Sequence, residues 1–175
     1  FNEKQLMNML QKHAYAQDAD VEHLETKGAI NFLALDDIKI EEEGEIINPD
    51  SIVALPTYKS GFPTFPKFSE VPNDQFLQKI HKSDEKWVII TDQENNPKVV
   101  LNADEFLRDA VYEQKHTRVK QYCHRPIIVT TPGTTLGEVI HKFKVFPEHS
   151  EDDVVDQDLI LYWGREKRII TGADI

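Results

Sequence analysis

The sequence predicts a mixed α/β fold of the α+β kind, in which two related units each combine a small sheet with short helices. Two observations carry this prediction. Short apolar runs with strand character alternate with segments in which apolar residues recur at helical spacing. The same order of strand, turn, strand and helix start also occurs twice along the 175 residues, and such a repeat is typical of paired structural units.

The first part of the chain predicts helix followed by short strands. Residues 3–35 carry apolar side chains at helical spacing in two segments, and Asp18 or Asp20 is expected to cap the second. Residues 38–40 alternate like a short strand. Residues 52–55 are a second, more apolar strand candidate.

Residues 56–72 are predicted to form a loop. Four prolines stand there, and proline removes ladder donors and forces turns. The tyrosine and phenylalanines between the prolines are expected to cover the edge of a core. A docking ligand of the Pro-x-x-Pro type, at Pro63 to Pro66, is the alternative.

The first copy of the repeat follows this loop. Apolar residues at helical spacing predict a short helix over residues 74–80. Residues 87–90 and 99–101 predict a strand hairpin across a turn rich in Asn and Asp. Asn102 then begins a helix, and Glu105 three residues later completes the pattern of a capping box.

The second copy has the same order of elements. Residues 127–129 predict a strand, and residues 136–143 a helix. Residues 159–163 and 169–170 predict a second hairpin. Thr171 is expected to cap the next helix.

The motif Thr171-Gly172-Ala173-Asp174 closes the second copy and has two interpretations. A threonine with a carboxylate three residues later is a reciprocal helix cap. The same pair at a strand-to-helix corner can also hold the ribose and phosphate of a nucleotide, because free N–H groups and the dipole at a helix start favour anions. In the first copy Leu101 stands at the threonine position, and only Asp104 matches. Since the sequence stops at Ile175, we expect this chain to be a piece of a longer protein.

The charge balance bears on possible partners. A formal net charge of −11 disfavours binding to nucleic acid and to anionic lipid. Acidic residues cluster at 41–45 and at 148–158, where solvated loops are expected and a weak cation site is the alternative.

No motif points to catalysis or to a resident metal. Cys123 is the one cysteine, so an intramolecular disulfide is impossible, as expected for a reducing compartment. The seven histidines lack the spacing of a zinc site. A nucleophile elbow and a phosphate loop are both missing from the sequence, so we expect a protein that is not an enzyme.

The second copy resembles a CBS unit. Residues 129–136 are similar to the opening strand and turn of such a unit, and residues 159–174 to its hairpin and Thr-x-x-Asp corner. The two copies together resemble a tandem CBS pair, the Bateman module. Its units would span residues 50–121 and 122–175, with residues 1–49 as a helical linker.

This resemblance implies an adenine nucleotide as ligand: AMP, ADP or ATP, with or without Mg²⁺. Asp174 would contact the ribose hydroxyls and Thr171 would face phosphate. Arg168 would either crowd the site or supply charge to a phosphate. The apolar walls for the base would come from Ile127, Ile128 and Val129. In the first copy Asp104 is the matching residue, and Leu101 stands where the resemblance would place the threonine.

The segment before the repeat resembles the CorC/cyclin-M type of magnesium transporter. Residues 28–32 end a helix, and residues 45–55 are similar to the entry into the first CBS unit of that family. The resemblance implies a regulatory module on the cytoplasmic face of the cell membrane, attached to a transmembrane domain. It would form a homodimer and transmit nucleotide binding by rearranging that dimer. The alternative is a structural dimerisation module without a ligand.

Overall fold

The computed structural model describes residues 37–143 and 154–175, together with Gln5. Within these ranges the protein is a mixed α/β structure, as the sequence predicts, with seven strands and three α-helices. Except for Gln5, residues 3–35, where two helices are predicted, lie outside the described residues, and so does most of the predicted linker. So do residues 148–153 of the second acidic cluster.

The described elements alternate short strands with short helices. In chain order they are β1 (Glu45–Ile46), β2 (Ile52–Ala54), α1 (Gln75–His81), β3 (Trp87–Thr91), β4 (Pro97–Asn102), α2 (Ala103–Arg108), β5 (Cys123–Val129), α3 (Leu136–Val139), β6 (Val155–Tyr162) and β7 (Arg168–Ile170).

The chain divides into two compact units. The first unit contains residues 47–126 and 154–156, and the second contains residues 37–46, 127–143 and 157–175. Neither unit is continuous in sequence. The boundaries predicted at residues 50 and 122 describe a repeat of elements and stay a prediction.

The first unit is built around β3. Strand β2 pairs with it in parallel, β4 pairs with it antiparallel, and the start of β5 pairs antiparallel with β4. The side chain of Asp74 caps α1 by accepting from the N–H groups of Phe76 and Leu77, at 2.8 and 3.1 Å. Helices α1 and α2 supply Phe76 and Phe106 to a core that also takes Val88, Ile90 and Leu101 from the strands.

The proline-rich loop covers the edge of this core, as predicted. Phe62, Phe65 and Phe68 are half-buried and pack against it. The ring of Phe68 lies 5.5 Å from that of Phe106 in an edge-to-face arrangement. Because this loop is fixed by its aromatic side chains rather than by a ladder, it tolerates its prolines.

The second unit is built around β7. That strand pairs antiparallel with β6 on one side and with β1 on the other. Ile160 and Ile170 are fully buried together with Ile40, Leu136 and other apolar residues in a separate core. The phenolic O–H of Tyr162 donates to the carboxylate of Glu41 at 3.3 Å, and burial of the phenol and the charge of Glu41 raise the pKa of Tyr162.

Most predicted elements are confirmed, and three differ. The predicted strand at residues 38–40 is wrong: Ile40–Glu42 form a 3₁₀ turn, and only an isolated bridge joins Lys39 to Thr135. The reason is that the backbone of residues 38–40 bonds to Thr134 and Leu136, at the start of α3. A partner segment of this length is too short to support a strand ladder.

The helix predicted over residues 136–143 is shorter than expected. The α-helix covers Leu136–Val139 and tightens to a 3₁₀ turn over Ile140–Lys142. Its start has the full capping box, with Thr135 and Glu138 bonded reciprocally. After Thr171 the described chain shows a turn rather than a helix.

Candidate functional site

The Thr171–Asp174 corner follows directly from a buried strand. β7 is held on both edges by neighbouring strands, and Ile169 and Ile170 are buried. The chain leaves the sheet at the next residue, so the polar groups of the corner are positioned by a well-packed element.

The corner is closed by four hydrogen bonds within itself. One carboxylate oxygen of Asp174, Oδ2, accepts from the Thr171 N–H at 2.8 Å and from the Thr171 hydroxyl at 3.1 Å. The hydroxyl in turn accepts from the Ala173 N–H at 3.3 Å, and the Asp174 N–H donates to the Thr171 carbonyl at 3.0 Å. The predicted cap bonds are therefore present, although they close a turn.

The second oxygen of Asp174 is open. Across residues 37–143 and 154–175, no group donates to Oδ1, and the side chain is exposed. The corner thus holds one carboxylate oxygen in a fixed place while leaving the other to accept from a ligand.

Arg168 is already engaged by the protein. Its guanidinium donates twice to one carboxylate oxygen of Glu166, at 2.7 and 3.2 Å, and once to the Gly44 carbonyl at 3.5 Å. The side chain of Arg168 is only 17% exposed. A phosphate contact from Arg168 would therefore need the guanidinium to leave Glu166 or to share it.

The three residues proposed as apolar walls divide between two faces of β5. Ile127 and Val129 are buried in the core of the second unit, and Ile128 between them is 43% exposed. This alternation follows from the period of a strand. Ile128 is the member of the group that a base could contact without displacing core packing.

The matching corner of the first unit uses different residues from those predicted. Asn102, the last residue of β4, accepts from the Glu105 N–H at 3.2 Å, and its amide donates to the Glu105 carboxylate at 3.2 Å. Asn102 and Glu105 therefore occupy the places that Thr171 and Asp174 hold in the second unit. Leu101 is fully buried in β4, and Asp104 is exposed in the first turn of α2.

No described group of three or more histidine, cysteine, aspartate or glutamate side chains could hold a metal ion. Asp156, from the second acidic cluster, pairs with Arg125 at 3.1 Å. Cys123 is buried in the first core, where its thiol donates to the Val119 carbonyl at 3.3 Å. His13, His23 and His149 lie outside the described residues.

Two residues that the sequence did not single out help to build the corner. Glu166 fixes Arg168 from two positions earlier, and Gly44 accepts from the same guanidinium across the pair of β1 and β7. The opposite charges at 166 and 168 were a usable signal, because they stand only two residues apart at the end of the turn that leads into β7. Gly44 had no local signal, since its partner lies far along the sequence.

The comparisons with known proteins leave the family open. Searches with protein-family models, with curated proteins and with solved structures found no match for this chain. In the part of the chain that the structure describes, every helix is too short or too polar to cross a bilayer. The resemblance to a CBS pair and to the magnesium transporter family therefore stays a prediction.

Proposed function

We propose that this chain is a regulatory module whose second unit binds an adenine nucleotide at the Thr171–Asp174 corner. The observation that carries the proposal is the exposed Oδ1 of Asp174, held in place at the end of a buried strand by the bonds that its partner oxygen makes. A carboxylate oxygen presented in this way suits a pair of sugar hydroxyls, which are donors.

The repeat supports the same proposal. Both units have the same order of a strand, a short helix and an antiparallel hairpin, followed by a polar corner. Each corner pairs a polar residue with a carboxylate three positions later, Asn102 with Glu105 and Thr171 with Asp174. This is the order of elements on which the resemblance to a CBS pair rests. In this proposal Ile128, which is exposed on strand β5, would supply an apolar contact for the base.

Mg²⁺ would come with the nucleotide in this proposal. The described residues provide no cluster of three donors, and magnesium in nucleotide sites is bound largely by substrate phosphates and water. A requirement for Mg²⁺ would therefore depend on the number of phosphates, and would be greater for ATP than for AMP.

A structural dimerisation module without a ligand is the second candidate. It is favoured by the corner's own bonding, because Thr171 and Asp174 satisfy each other and Arg168 is paired with Glu166. A helix-cap arrangement of this kind stabilises a chain by about 1 kcal/mol without any ligand.

Isothermal titration calorimetry with AMP, ADP and ATP, each with and without Mg²⁺, separates the two candidates. The informative variant is Asp174→Asn. Its amide oxygen can still accept from Thr171, so the corner is kept, but the open carboxylate oxygen becomes an amide N–H₂. We expect nucleotide affinity to fall at least about tenfold, with little change in the melting temperature.

Glu105→Gln is the matched control. It makes the same change at the corner of the first unit, where Asn102 supplies the other half of the cap. We expect it to leave nucleotide affinity unchanged. Absence of heat from all three nucleotides, or equal affinities for the two variants, would favour the structural module.

The wider proposal is that nucleotide binding biases the pairing of two such chains, and through it an attached membrane domain that transports Mg²⁺ or Co²⁺. Its support is the sequence resemblance of residues 45–55 to the transporter family. It predicts several apolar stretches of about 20 residues ahead of Phe1 in the parent protein. A parent sequence without them would contradict the transport role while leaving the nucleotide site untouched.

A further inference from the structure

A groove in the first unit lies between two segments that are distant in sequence. One wall is the proline-rich loop, residues 56–72, and the other is the stretch 116–120. The groove has a volume of about 750 Å³, which is within the range of small-molecule sites. Tyr58, Phe65 and Phe68 line it on the side of the loop.

Cations gather at this groove although the chain carries a net charge of −11. Lys67, Arg118 and Lys120 line it, and among its described lining residues Glu70 alone is acidic. No described carboxylate lies within ion-pair distance of Lys67, Arg118 or Lys120. The ammonium of Lys120 lies 4.9 Å from the ring centre of Phe62. The groove is therefore a local positive field with charges free to meet an anion.

Two polar atoms at the wall are buried and unpartnered. Glu70 accepts from the Thr117 N–H at 3.1 Å through one oxygen. Its other oxygen, Oε2, and the Thr117 hydroxyl are both buried and make no hydrogen bond within the protein. An unsatisfied buried acceptor is costly, and a ligand that donates to it recovers that cost.

The backbone beside these atoms is strained. Gln114 and His116 both adopt left-handed conformations, with φ of 48° and 52°. At Gln114 this ends a helical segment, which is a common use of the conformation. His116 directly precedes Thr117, and its left-handed conformation turns the backbone so that the Thr117 N–H donates to Glu70. Strain of this kind at non-glycine residues is found often at ligand sites.

We propose that this groove binds a small aromatic anion that carries an N–H or O–H donor. The acid group would lie against Lys67 and Arg118, the flat ring against the aromatic side chains of the loop, and the donor against Oε2 of Glu70. The acid group pairs with the cations that have no ion-pair partner, the ring packs on the aromatic side chains, and the donor satisfies the unpartnered oxygen of Glu70. The site belongs to the first unit and does not depend on nucleotide binding at Asp174.

Four probe molecules separate the three features by calorimetric titration. Indole-3-acetate has a ring, an N–H donor and a carboxylate; 1-benzothiophene-3-acetate lacks the donor; indole lacks the charge; acetate has the charge alone. We expect indole-3-acetate to bind at least about tenfold more tightly than acetate or indole, and several-fold more tightly than the benzothiophene.

Variants locate the binding. Arg118→Ala and Lys67→Ala should each weaken indole-3-acetate by about tenfold, whereas Lys79→Ala, on the exposed side of α1 and outside the groove, should not. Glu70→Gln keeps an oxygen for the Thr117 N–H but replaces the unpartnered acceptor with an amide N–H₂, so it should abolish the preference for indole-3-acetate over 1-benzothiophene-3-acetate.

Two results would overturn the proposal. The first is equal affinity for indole-3-acetate and acetate. The second is a loss in Arg118→Ala and Lys67→Ala no greater than that in Lys79→Ala. Asp174→Asn should leave indole-3-acetate binding unchanged. The groove proposal and the nucleotide-site proposal can therefore fail independently of each other.

Discussion

At the scale of single residues, the corner depends on the two oxygens of one carboxylate having different roles. Oδ2 of Asp174 closes the turn and Oδ1 is open to solvent. The motif in the sequence predicts the pairing of Thr171 with Asp174, because that spacing is the spacing of a cap. The pairing of Arg168 with Glu166 and Gly44 was not predicted, and it changes what Arg168 can do for a phosphate.

Tyr122 provides a residue-scale prediction about pH. Its O–H donates to Asp109 at 2.7 Å, and burial of the phenol, followed by the bond to Asp109, raises the pKa of Tyr122 above its ordinary value. Because the folded-state pKa is raised, this stabilisation is complete below the pKa of an unfolded tyrosine, about 10, and is lost as the pH rises above it.

We expect Tyr122→Phe to lower the free energy of unfolding by about 1 kcal/mol at pH 7 and to reduce the further loss between pH 7 and pH 11, both measured by urea unfolding. Tyr112→Phe is the control, since Tyr112 is 83% exposed and contributes little. The prediction fails if the two variants lose the same stability over that pH range.

At the scale of elements, the second unit depends on a close approach between β1 and β7. Gly44 enters β1 with φ of +69°, and a Cβ at this position would overlap the backbone carbonyl of Ile169. A backbone oxygen in a paired strand cannot move aside cheaply, so glycine is required here for space as well as for conformation.

Gly44→Ala is therefore expected to lower the free energy of unfolding by about 2–4 kcal/mol. Gly133→Ala is the matched control, because Gly133 also has a positive φ, 79°, but open space where the Cβ would stand. Its cost should be about 1 kcal/mol, the price of the left-handed conformation alone. Equal losses for both variants, measured by urea unfolding, would show that the overlap is relieved elsewhere.

Elements were predicted well wherever the signal was local. The cap at Asn102, and the hairpin in each copy of the repeat, follow from periodicity and turn chemistry. Residues 38–40 were predicted wrongly as a strand, because alternation does not say whether a long enough partner is available.

At the scale of the whole molecule, the mixed α/β class and the repeated order of elements could be predicted, because both follow from the spacing of apolar residues along the chain. The groove of the first unit could not. Glu70 and Thr117 are 47 residues apart in sequence, and a contact between two loops leaves no periodic trace. The net charge of −11 disfavoured nucleic acid and anionic lipid as partners, and a net charge gives no sign that cations are concentrated at one place.

Amide chemical shifts of the ¹⁵N-labelled chain during titration with ADP and Mg²⁺ test the nucleotide site most directly. The account predicts saturable shifts at Thr171, Ala173, Asp174 and Ile128, with no comparable change at Asn102 or Glu105. Saturable shifts confined to other residues, or none at all, would contradict it.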